Sequence, residues 1–141
     1  MIYTTPFVNV GVNTDIYASG DALGAVASFT NVPEHGVIHA IIVNDRDSEN
    51  VNLDVVMFRR SIVGSAANAA FAPSDAELND SIGSVLIDTW KSFSTNSQGI
   101  ETSIGLPYWA PLGILYFQCV TRGTPTYAAS TDLQIALQIV V

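Results

Sequence analysis

The run Thr131-Asp-Leu-Gln-Ile-Ala-Leu-Gln-Ile-Val-Val141 alternates polar and apolar residues until its final valines. A two-residue period places successive side chains on opposite faces of a strand, one of them buried. An apolar strand of this kind is expected to be tied into a sheet or an interface. Further apolar, β-branched runs follow the same logic: Val37–Val43, Val51–Phe58 and Ile114–Thr121. Clusters of Ser, Asn, Asp, Gly and Pro separate them, as turns require. No stretch is long enough for a crossover helix, which excludes a βαβ domain. An all-β fold remains, an antiparallel β-sandwich or a barrel.

About eight strands are expected. Met1–Val10, apolar around Pro6, reads as an extended arm or an edge strand, because proline removes a ladder donor. Residues 1–12 are assigned to that arm and 13–141 to one β-sandwich domain. Leu23–Phe29, Val85–Trp90 and Ile100–Ile104 are further strands. Val37–Val43 and Val51–Phe58 are expected to form a hairpin across the polar turn Asn44–Asn50. Apolar residues at both Val55 and Val56 break the alternation, which points to a bulge or to cover on both faces. One short helix is expected near residues 75–81. Ser74 and Glu77 have the spacing of a capping box, and Gly83 stops the helix early.

With 141 residues, the chain is large enough to fold without disulfide or metal. Only 13% of its residues are charged, against about 25% in ordinary domains. A surface of amides, hydroxyls and small side chains costs little to desolvate against a partner. The net charge is -8, and Arg59 and Arg60 are the only adjacent cations. That pattern argues against direct nucleic-acid binding, which needs clustered cations. The single cysteine, Cys119, lies in a strand-like run and reads as a core thiol. No segment has the pattern of a signal peptide or the apolar length of a membrane span. Synthesis in a cytoplasm is therefore expected, with no membrane partner.

Signals for chemistry are sparse. Asp45, Asp47 and Glu49 form the densest acidic group and are a weak candidate for a hard cation, although Arg46 stands among them. His35 and His39, four apart on a strand, would lie about 13 Å from each other and could not share a metal. No nucleophile elbow, zinc motif or phosphate loop occurs. No enzymatic activity and no cofactor are expected. The candidate interface residues are Pro6 and Phe7 in the arm, Tyr108 and Trp109 between prolines, and Val140 and Val141 in the last strand. An exposed Tyr108 or Trp109 would also suit stacking on a sugar, which predicts a groove at that loop.

Four segments carry a resemblance. Asp15-Ile-Tyr-Ala-Ser-Gly-Asp-Ala-Leu-Gly24 and Gly36-Val-Ile-His-Ala-Ile-Ile-Val-Asn-Asp-Arg-Asp47 are two of them. Phe71-Ala-Pro-Ser-Asp-Ala-Glu-Leu78 and Val120-Thr-Arg-Gly-Thr-Pro-Thr-Tyr127, with Asp132-Leu beyond, are the others. In this order they resemble segments of small structural virion proteins of tailed bacteriophages. The resemblance implies a jelly-roll-like sandwich and a capsid decoration or cement role on the outer head surface. It also implies a homo-oligomer, in particular a trimer, with the major capsid protein as partner. A head-fibre base, a tail component and a glycan- or receptor-binding module are the alternatives. The apolar arm and last strand are then expected to be covered by strand addition between molecules.

Overall fold

The computed structural model describes residues 1–141. Eleven strands are β1 (Ile2–Thr4), β2 (Val8–Asn9), β3 (Ala27–Thr30), β4 (His35–Asp45), β5 (Leu53–Phe58), β6 (Ser81–Ile87), β7 (Trp90–Ser92), β8 (Ser97–Glu101), β9 (Leu106–Trp109), β10 (Ile114–Thr121) and β11 (Leu133–Val140). One sheet runs β1-β11-β4-β8-β7, with β2 also on β11 and β9 also on β4. The other runs β3-β10-β5-β6. Every pairing is antiparallel.

This connectivity is a jelly roll. β1 and β2 together flank one side of β11 as a single interrupted strand, broken at Pro6. With β7 and β9 set aside as additions, the principal strands in chain order alternate between sheets except at the β5–β6 pair, the strand order of a jelly roll. First, eighth, third and sixth make one sheet; second, seventh, fourth and fifth make the other. The all-β antiparallel sandwich is thus as the sequence predicts, and its strand order is decided by the tertiary structure. The strands missing from that reading are short: β7 shares only Trp90 with an expected strand, and β9 lies outside all of them.

The expected hairpin between Val37–Val43 and Val51–Phe58 does not form. β4 is flanked by β11 on one side and by β8 and β9 on the other, while β5 lies between β10 and β6. Neither strand has a free edge for the other, so residues 46–52 pass from one sheet to the next. Asp45, only 1% exposed, organises this corner. Its carboxylate accepts the backbone N–H groups of Asp47 and Glu49 at 2.9 Å each and of Asn50 at 3.2 Å. Ser48 and Asn50 take left-handed conformations (φ 52° and 54°), which turn the chain sharply.

The last strand is not an open edge either. β11 lies between β1 and β2 on one side and β4 on the other, all in the same chain. Ile2 pairs with Val140, and Thr5 donates its N–H to the Leu137 carbonyl at 2.9 Å. The expectation that a neighbouring molecule covers this strand is therefore corrected: the chain covers it with its own first residues. Antiparallel addition needs only a second extended segment of matching register, and residues 2–9 supply it.

The core lies between the sheets. Ile38, Ile41 and Val43 of β4 and Leu133, Ile135, Leu137 and Ile139 of β11 face Val55 and Met57 of β5 and Leu115, Phe117 and Cys119 of β10. Phe29 and Phe117 stack with ring centres 4.7 Å apart. Burial pushes the Cys119 thiol far above its ordinary range, as expected of a core thiol. Val56, Phe58 and Val120 form a second, smaller cluster with Ile62, Phe71 and Tyr116. The connection from β5 to β6 covers the outer face of sheet two there, which explains the broken alternation at Val55 and Val56. Buried Gln118 holds that connection. Its side-chain N–H groups donate to the Gly24 and Ser65 carbonyls at 2.8 and 2.6 Å, and its oxygen accepts from Ser65 N–H at 3.2 Å.

The helix α1 is a single turn, Asp75–Leu78, shorter than the span expected. Its capping box is present: Ser74 Oγ accepts from Glu77 N–H at 3.1 Å, and Glu77 accepts from Ser74 N–H at 2.9 Å. No helix is long and apolar enough to cross a membrane.

Candidate interaction surface

Two exposed regions stand out against this scaffold. The first is the outer face of sheet one. Ile2, Val140, Val37 and Pro107 are successive cross-strand partners on β1, β11, β4 and β9. All four are exposed. Strand spacing makes this an apolar row about 14 Å wide. The neighbouring register row, Tyr3, Ile139, Ile38 and Leu106, turns inward onto the core. Toward the other end of the same face lies a row of amides. Gln134 Nε2 donates to Asn9 Oδ1 at 3.0 Å, and Gln98 Nε2 donates to Asn44 Oδ1 at 2.8 Å. Arg46 adds a bond to Gln134 Oε1 at 3.2 Å. The amides thus form two bonded pairs, Asn9–Gln134 and Asn44–Gln98, with Arg46 and Lys91 beside them.

The second region is a groove of about 320 Å³ where β5 ends and β10 begins. Arg59, Arg60, Trp109, Leu112, Ile114 and Tyr116 are among its walls. Trp109 is 66% exposed and Leu112 is 86% exposed. The turn between β9 and β10 holds Leu112 out: Gly113 N–H bonds to the Ala110 carbonyl at 2.8 Å, and Gly113 has a φ of 68°. On the opposite wall, Arg59 Nη2 lies 3.2 Å and Arg60 Nε 3.8 Å from the same Asp80 oxygen. Two guanidinium groups share one carboxylate, so the groove carries a local positive charge in a chain whose net charge is -8.

The expected interface residues separate in the structure. Trp109 is exposed in a groove, as sugar stacking would have required. Tyr108 is a correction: it is 7% exposed, and its hydroxyl donates to the Pro33 carbonyl at 3.0 Å. In β9, alternation turns adjacent residues to opposite faces, so one aromatic goes to the core and the other to solvent. Burial raises the Tyr108 phenol to about 12. Pro6 and Phe7 are exposed between β1 and β2, and Val140 and Val141 lie beside Ile2 and Met1.

The acidic turn also has other work. Asp45 is spent on backbone N–H groups, and Glu49 Oε1 accepts from Thr126 N–H at 2.8 Å. Desolvation raises the Asp45 carboxyl above its ordinary range, and the three N–H donors oppose that rise. Asp45, Asp47 and Glu49 therefore do not form a cation site, and no three His, Cys, Asp or Glu side chains converge elsewhere.

Two of the segments that carry the resemblance meet in one corner. Tyr17 and Tyr127 pack edge to face with ring centres 6.2 Å apart. Tyr17 N–H bonds to the Pro125 carbonyl at 3.1 Å, and Gly20 N–H to the Thr121 carbonyl at 2.8 Å. Phe71 N–H joins the Gly20 carbonyl at 3.0 Å, which brings a third segment to the same place. Their residues act as scaffold. Arg59, Arg60 and Leu112 were absent from the expected interface. Their signal in sequence was the single pair of adjacent cations and a leucine set between proline and glycine.

No family model matches the chain, and no curated protein or solved structure matches it at the significance required.

Proposed function

We propose that the chain is a non-enzymatic structural protein of a phage particle, a capsid decoration protein bound to the outer surface of the head. The observation that carries this reading is the outer face of sheet one. An apolar row across four strands lies on the same face as two bonded pairs of amides. Covering the apolar row and the paired amides costs little, and Arg46 and Lys91 are the charges on this face that a partner must match. The ordered resemblance of four segments to phage virion proteins supplies the particle. The jelly roll is a fold that shell proteins use, an argument by analogy only.

A trimer is part of the proposal. Several modest contacts made at once give a bound trimer far more affinity than one copy has. Binding an intact shell in preference to a broken one then stabilises the shell by mass action. Imaging particles made with and without the protein tests the reading. Extra density at three-fold or quasi-three-fold positions of the head is expected. Density at the tail alone, or no particle association at all, refutes it.

A further inference from the structure

We infer that the groove between Arg59–Arg60 and Trp109–Leu112 is a docking site for an acidic polypeptide segment with an apolar anchor residue. The inference stands apart from the particle role, because it rests on the groove alone. Its volume, about 320 Å³, is at the lower end of the range for compact ligands, roughly 300–1,000 Å³, and suits a few side chains of a chain laid across it.

Charge selects the sign of the partner. The chain has five lysines and arginines in all, and two of them stand side by side here. Asp80 neutralises only one of the pair. Arg60, with its side chain 72% exposed and its carboxylate contact stretched to 3.8 Å, is free to turn toward a second carboxylate. A guanidinium fork pairs bidentately with a carboxylate, which fixes direction as well as energy.

The apolar walls select the kind of partner. Tryptophan, tyrosine and arginine are the residues that dominate binding at protein interfaces, and all three types line this groove. A sugar would use Trp109 as a platform but would also need polar groups around it for its hydroxyls. Here Pro111, Leu112 and Ile114 line the groove with Trp109, and no Asp, Glu, Asn or Gln lines it to accept from sugar hydroxyls. Exposed aliphatic side chains gain from covering by other apolar side chains.

A random eight-residue peptide library displayed on yeast, panned against the full chain, tests the inference. Enriched peptides are expected to carry Asp or Glu within three residues of Leu, Phe or Tyr. Arg60→Glu and Trp109→Ala are each expected to weaken their binding at least tenfold, and added salt to weaken it further. Both positions are exposed, and circular dichroism checks that each variant folds. Should Trp109→Ala misfold, Arg60→Glu carries the comparison alone. The inference is overturned by no enrichment, by enrichment of basic peptides, or by binding that neither substitution changes. Arg60-dependent binding to an array of carboxylated oligosaccharides, with no peptide enrichment, overturns it in favour of a glycan. Self-association lost on Leu112→Glu, again with no enrichment, overturns it in favour of a second copy.

Discussion

Replacing Gln118 with leucine tests how the outer face of sheet two is closed. The side chains are similar in size, so the change removes hydrogen bonds with little loss of volume. Three are lost: to the Gly24 carbonyl, to the Ser65 carbonyl and from Ser65 N–H. Each contributes about 0.5–1.5 kcal/mol, and a buried group left without a partner costs about 1–3 kcal/mol. Gln118 is fully buried, so water cannot readily replace it. Part of the loss is offset by the apolar side chain, which leaves an expected destabilisation of about 3 kcal/mol. For a chain of this length that lowers Tm by about 10 °C. With an m-value of about 2 kcal/mol/M, the urea midpoint falls by about 1.5 M. Amide exchange separates local from global effects: residues 64–71 are expected to lose protection well before β4 and β11 do. A midpoint within 0.3 M (an assay margin of about 0.6 kcal/mol at that slope) with unchanged protection at Ser65 would refute the reasoning.

Three further outcomes follow from single contacts. A Cβ at Gly24 would collide with the Val10 carbonyl oxygen, so Gly24→Ala is expected to destabilise by about 3 kcal/mol or more, read by urea denaturation. Tyr108→Phe is expected to cost about 1 kcal/mol for its lost bond to Pro33, while Trp109→Ser next to it changes stability by no more than about 0.5 kcal/mol; equal losses at both would contradict their opposite faces. The N–H groups of Ser74 and Gly64 hold the Glu77 carboxyl below its ordinary range. Because its folded value is the lower one, the stabilisation is present above the ordinary glutamate range and disappears as pH falls through the folded value. The Ser74 and Gly64 amide resonances are expected to move together in that acid window and to lose the transition in Glu77→Gln. Movement of only one amide would count against the shared carboxylate.

The expected functional residues divide along the same physical lines as the fold. Trp109 was legible as a candidate for exposure, because it stands in a segment between prolines. Tyr108 was not, since a two-residue period says that neighbours diverge and leaves open which one turns inward. Val140 and Val141 were legible as a strand end that needs cover, and the source of that cover was not. The arginine wall of the groove comes from the end of β5 and the tryptophan wall from the end of β9, about fifty residues further on. No local pattern joins two such places.

Period-two alternation, turn chemistry and the Ser74–Glu77 spacing are local properties, and by themselves they determined an all-β chain with one capped helical turn. In β11 the period-two positions Leu133, Ile135, Leu137 and Ile139 all face the core, as the alternation requires. Pairing is not local. A strand's hydrogen-bonding edges are the same whichever partner meets them, so only the whole packed structure decided that β4 and β5 part company at Asp45. The same global choice folded residues 2–9 back onto β11 and brought Arg59 and Arg60 across from Trp109.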